Sequence, residues 1–283
     1  MIDSLITAYP LILSLLVTGA IAGILAGLLG VGGGIIIVPV LFTVLGTLDV
    51  PMDVRLHVAI GTSLATIVPT SLASVRAHHR KGAVDWPLFK TWAPGLVIGV
   101  VLGTILATRL LSGTILALVF AVVALCVALD IAFRDRSMPQ YGDGNTLSEL
   151  WIYKSTASVV STMVGAFSAL MGIGGGTLSV PILNAARYPM HRAVATSAAF
   201  GLIISIPAAA GYIIGGWGLS GLPFGSIGYV NMLGLAVITA TTVLTAPLGS
   251  HLAHALTEKS LRFLFSGFLV LTAIRMAYAA VSS

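Results

Sequence analysis

The chain has 283 residues, of which 57% are hydrophobic and 8% charged, with a net charge of +5. A soluble domain carries about 25% charged residues, so this chain lacks the charge to coat a water-facing surface, and its mean hydropathy is +1.06. That balance excludes a soluble catalytic domain and a nucleic-acid-binding module and points to a polytopic membrane protein. Helices are expected rather than a barrel, because the apolar runs approach 20 residues instead of alternating in blocks of about 10.

In chain order, the first apolar segment covers about 8–29, before a glycine-rich stretch and a shorter apolar piece over about 35–47. Helices are expected at about 54–77, 87–110 and 113–133. The longest polar stretch, Arg134 to Glu149, contains Pro139, Gly142 and Gly144 and reads as a linker. Beyond it come about 150–171, a second glycine-rich stretch, and about 178–186, 190–214, 226–250 and 259–281. The expected organisation is a first membrane repeat over 1–133, a cytoplasmic linker over 134–149 and a second membrane repeat over 150–283. Met1-Ile-Asp-Ser lacks the basic n-region of a secretory signal and is expected to stay in the mature protein. Cys126 is the single cysteine, so no internal disulfide is possible.

The repeat is visible in two motifs. A shift of 142 residues lays Gly30-x-Gly32-Gly33-Gly34 on Gly172-x-Gly174-Gly175-Gly176 and Val38-Pro39 on Val180-Pro181. A shift of 134 lays His57-x-Ala-x-x-Thr62-Ser63 on His191-x-Ala-x-x-Thr196-Ser197. Paired, interrupted apolar segments in the two halves of a membrane protein mark a transport site.

Lysine and arginine choose the arrangement of the halves. If each glycine stretch forms a hairpin that returns to its starting side, three crossings follow and the halves are inverted. One face then collects Arg76, Arg80, Lys81, Arg134, Arg136, Lys154, Arg187, Arg192, Lys259 and Arg262, and the other only Arg55 and Arg109. Eight plain crossings would split these charges evenly, so the positive-inside rule favours inversion. The expected fold is all-α: two inverted repeats, each a broken or re-entrant hairpin plus three transmembrane helices. Basic loops then face the cytoplasm of a bacterial inner membrane, with both termini outside.

Lipid satisfies no free backbone group, so a broken helix at membrane depth must line an enclosed or wet cavity. Gly32, Gly33, Gly34, Gly174, Gly175 and Gly176 let a ligand approach the backbone. The helices after them begin with unpaired N–H groups at the positive end of the helix dipole. Two such ends form an anion site without a lysine. Pro39 and Pro181 are expected in the first turns, where a missing N–H costs least. The competing role for the loops is a tight turn between packed helices. Thr62, Ser63, Thr196 and Ser197 offer hydroxyl donors to an oxyanion, or bond back to their own helices. His57 and His191 are weaker ligand candidates beside a capping role, and Arg275 is either functional or snorkels to the interface. Gly19-x3-Gly23-x3-Gly27 and Gly99-x3-Gly103 read as helix-packing faces. His251 and His254 lack a third ligand, and no metal or cofactor is expected.

Gly27-Leu-Leu-Gly-Val-Gly-Gly-Gly34 followed by Val38-Pro39, repeated in the second half, with Ala-x-x-Thr-Ser next, resembles the sulfite exporter TauE/SafE family over essentially the whole chain. The resemblance implies export of a small sulfur-containing anion, sulfite or an organosulfonate such as sulfoacetate, by alternating access. A more distant group uses intramembrane cysteines for thiosulfate, and the lone Cys126 argues against that chemistry. A negative cytoplasm favours anion exit by about 2.3 kcal/mol per charge per 100 mV. The alternatives are an anion channel, an importer of another oxyanion, or an intramembrane enzyme, for which no nucleophile–base pair is found. The expected partners are a small anionic substrate and the lipid bilayer, not nucleic acid, with self-association into a homo-oligomer allowed.

Overall fold

Long apolar runs punctuated by glycine and proline become helices because only helices and closed barrels satisfy every backbone group in lipid. The computed structural model describes residues 13, 15–24, 33–133, 156–186, 188–255 and 258–281. Gly30, Gly32 and the linker 134–149 lie outside the described residues, as do the side chains of His251 and His254.

The first half comprises α1 (Leu15–Ile24), α2 (Gly34–Thr47), α3 (Met52–Arg80), α4 (Trp86–Ile105) with a π-turn at Leu106–Leu110, and α5 (Gly113–Phe133). The second comprises α6 (Thr156–Met171), α7 (Gly175–Ala185), α8 (Met190–Gly215), a short hairpin β1 (Ser226–Ile227) and β2 (Val230–Asn231), α9 (Met232–Ala255) and α10 (Glu258–Val281). Four described segments are long and apolar enough to cross a membrane: Met52–Arg80, Trp86–Leu110, Gly113–Phe133 and His191–Gly215. On α5, Leu118, Val122, Leu125 and Leu129 are exposed at helical spacing, while Leu116, Phe120, Ala124 and Val127 are buried. An exposed leucine-rich stripe on a helix of this length suits lipid, which makes the chain an integral membrane protein.

Helices α3 and α8, which carry the paired Thr-Ser motifs, pack against each other and run antiparallel. A Cβ on Gly61 would meet Tyr212 Cβ at 3.1 Å, and one on Gly201 would meet Ser71 Oγ at 2.7 Å. As one helix advances from 61 to 71, the other retreats from 212 to 201. The outer seams exchange elements between the halves. Gly99 and Gly103 on α4 face Thr162 and Ala166 on α6, whereas Gly19 and Gly23 on α1 face Thr241, Thr242 and Thr245 on α9. These glycines bear out the packing-face reading: a Cβ at Gly99 would lie 2.0 Å from the Thr162 carbonyl oxygen.

Two departures from the sequence expectation have local causes. The last-but-one helix begins at Met232 rather than near 226, because Ser226 pairs with Asn231 and Ile227 with Val230. Gly228 turns this hairpin at φ 55° and presses against the Ile213 carbonyl, where a Cβ would come within 2.0 Å. Pro39 and Pro181 are not in first turns. Their helices already start at Gly34 and Gly175, so each proline sits deeper inside and frees the carbonyl four residues back, that of Ile35 or Thr177.

Candidate functional site

The two glycine loops meet. Gly33 precedes α2 in the left-handed region, at φ 66°. Gly172 does the same before α7, at φ 68°, and a Cβ there would lie 2.8 Å from Val38 Cγ2 and 2.9 Å from Ile60 Cα. Conformation and space thus both demand glycine at 172. A Cβ at Gly34 would stand 3.0 Å from the Gly172 carbonyl oxygen, so the backbones of the two loops are in direct contact. Ser63 closes the junction: its hydroxyl donates to the Gly172 carbonyl at 2.7 Å and lies 3.4 Å from the Gly34 carbonyl.

On the far side of the second loop, Gly175 packs on Phe200 and Gly201 of α8, where a Cβ would be 2.7 Å from Phe200 Cβ. Phe200 stacks on Trp92 of α4 with ring centres 5.2 Å apart and planes 4° from parallel. The loop is thereby gripped between α3 and a stack of aromatic rings.

Around this junction several buried hydroxyls have no hydrogen-bond partner: Ser168 on α6, Thr177 and Ser179 on α7, and Ser197 on α8. All are at most 2% exposed. Gly175 lies against Gly201 in an antiparallel α7–α8 pair, so Ser179, one turn further along α7, comes level with Ser197, one turn earlier on α8. Thr177 stands in the first turn of α7, whose initial N–H groups lack intrahelical acceptors. An unpaired hydroxyl in an apolar interior costs free energy, and a ligand that accepts hydrogen bonds would recover it.

The other sequence candidates fall at defined places. Gly33, Gly34 and Pro39 are buried, and Gly32 lies outside the described residues. Gly174 and Gly175 are buried, while Gly176 and Pro181 are half-buried. Thr62 and Thr196 use their oxygens as acceptors, from the Asn231 N–H at 2.9 Å and the Asp85 N–H at 3.0 Å. Each keeps its own hydroxyl hydrogen for donation. His57 is buried away from the loops, with Nδ1 2.9 Å from the Asp53 carbonyl and Nε2 2.9 Å from the Ala107 carbonyl in the π-turn. Its ring stacks on Tyr229 at 4.8 Å. Burial raises the Tyr229 hydroxyl above its ordinary range, while Arg109 opposes the shift. His191 and Arg275 are exposed, on α8 and α10.

Sequence reasoning missed Ser168, Thr177 and Ser179 because it sought residues common to both copies. Their counterparts in the first copy are Ala26, Ile35 and Ile37. Differences between the copies, not agreements, carried that signal.

The sulfite exporter TauE/SafE family model matches residues 15–276. The chain belongs to this family. A "probable membrane transporter protein" of Haemophilus influenzae is 34% identical over 268 residues, covering 95% of this chain and 98% of that protein. Another protein described as a probable membrane transporter, from Methanocaldococcus jannaschii, is 32% identical over 107 residues, 38% of this chain and 39% of that one. No solved structure matches. As a TauE/SafE member the chain is a membrane transporter, and the glycine signatures fall within the matched region.

Proposed function

We propose that this protein is a carrier that exports a small sulfur-containing oxyanion, sulfite or an organosulfonate such as sulfoacetate, from the bacterial cytoplasm. The two halves work as inverted repeats around one site at the junction of the glycine loops. The observation that carries this is the junction itself: Ser63 binds the second loop while standing beside the first, and unpartnered hydroxyls lie on the helices α6, α7 and α8 that flank the second loop. The antiparallel course of α3 and α8 supports inversion, because two equivalent helices related by a two-fold axis in the membrane plane must run in opposite directions.

The chemistry fits an oxyanion. Sulfite and sulfonate oxygens accept hydrogen bonds and donate none, or at most one when protonated. Ser168, Thr177, Ser179 and Ser197 supply neutral donors, and the first N–H groups of α7 add the positive end of a helix dipole. Neutral donors hold an anion without the deep trap that a buried lysine would set, so the ion can leave again.

Thermal unfolding of the detergent-solubilised protein tests the reading. Sulfite and sulfoacetate should raise Tm in a saturable manner, chloride should not, and S197A should weaken the effect. Equal shifts with chloride, or none with any sulfur oxyanion, would overturn it.

A further inference from the structure

Thr62 and Thr196 occupy the same place in the repeated motif, and they make the same unusual contact. Thr62 Oγ1 accepts the backbone N–H of Asn231, and Thr196 Oγ1 that of Asp85. Both of these partners cap the start of a helix. The Asn231 side chain accepts from the Gly234 N–H at 2.6 Å at the start of α9, and the Asp85 side chain from the Leu88 N–H at 3.0 Å at the start of α4. The exchange is reciprocal: a threonine of the first half holds a cap of the second, and the reverse. The backbone N–H at a cap has no acceptor in its own helix, so the opposite half supplies one.

The two contacts lie near opposite ends of the bundle. The antiparallel register of α3 and α8 puts Thr196 level with about residue 76 of α3, roughly 21 Å along the axis from Thr62 at 1.5 Å per residue. The loop junction touches α3 and α8 at or between these levels, from Ile60 to Ile67 on α3 and at Gly201 on α8. Each contact is also braced differently. Tyr188 donates to Asp85 Oδ2 at 2.5 Å, whereas Asn231 donates to the Phe224 carbonyl at 2.8 Å and to Ser226 Oγ at 3.0 Å.

We propose that Thr62–Asn231 and Thr196–Asp85 are a pair of latches, one closing the site toward each side of the membrane. This rests on the carrier reading. When the halves rock, one latch parts and its N–H is taken up by water entering from that side, while the other stays closed. A single neutral hydrogen bond suits the task, since its net worth corresponds to about a five-fold change in a conformational equilibrium. It biases the closed form without locking it.

Sided labelling tests the pair. In a C126S background, T177C reports access to the site when an impermeant maleimide is applied to right-side-out or inside-out vesicles. T62V should raise labelling about five-fold from one side, and T196V by a similar factor from the opposite side. T62S and T196S keep the accepting oxygen and should label like the parent. If valine does not yield monodisperse protein, T62A and T196A take its place. Unchanged labelling, increases from the same side, or serine variants that behave like valine would overturn the latches. Opposite-sided labelling, together with no movement of sulfur oxyanions by the parent protein with Thr177 intact, would uphold the latches and remove the substrate reading instead.

Discussion

Ser63 has one hydroxyl hydrogen and two glycine carbonyls within reach, and it gives that hydrogen to Gly172. Gly172 precedes α7, so its carbonyl depends on a partner from elsewhere, and the partner comes from the other half of the chain. Removing it leaves a buried acceptor unpaired, at a cost of about 1–3 kcal/mol. S63A should therefore lower Tm by a few degrees, on the order of 2–8 °C, and loosen the loop junction. A melt of the purified variant in detergent checks this, and an unchanged Tm would mean that the bond contributes nothing. The motif Thr-Ser was visible in the sequence. Its division of labour, serine to the loop and threonine to a distant helix cap, depends on which neighbours the fold brings, and spacing alone does not carry that.

At the scale of elements, glycine does two different jobs that composition does not separate. On α4, Gly99 meets the Thr162 backbone so closely that a Cβ would lie 2.0 Å from the carbonyl oxygen. On α10, Gly267 has nothing within 4 Å. G99V should cost about 3 kcal/mol, the upper end of overpacking, because a backbone neighbour cannot rotate away. G267A should be neutral or stabilising by up to about 1 kcal/mol, since alanine is the better helix former. Thermal stability measured side by side decides it, and similar losses in both would contradict the seam. The seams were legible because small residues recur every four positions along one face. The helix starts at Gly34 and Gly175 were less so. Proline is favoured in a first turn, and that preference misplaced Pro39 and Pro181, which sit deeper in their helices. The hairpin at 226–231 escaped notice because its strands are two residues long, and its turn depends on Gly228 docking against α8.

At the scale of the whole molecule, the halves are interlocked rather than merely adjacent. First-half helices pack on second-half helices at the α4–α6 and α1–α9 seams, at α3–α8, and through both threonine–cap contacts. A carrier that rocks must slide these surfaces while holding the loop junction intact. The repeat itself was plain in the sequence, because both signatures recur at nearly constant offsets. The asymmetry within it was not: in the glycine-loop signatures the second copy has Ser168, Thr177 and Ser179 where the aligned positions of the first are Ala26, Ile35 and Ile37. The anion is therefore expected to sit toward the second loop. The most direct measurement is sulfite efflux from proteoliposomes containing the purified protein, for the wild type and for S179A/S197A. Efflux that saturates with sulfite, is competed by sulfoacetate but not chloride, and falls at least ten-fold in the double variant is the predicted result; efflux that rises linearly with concentration, or is unchanged in the variant, would contradict a site at the loop junction.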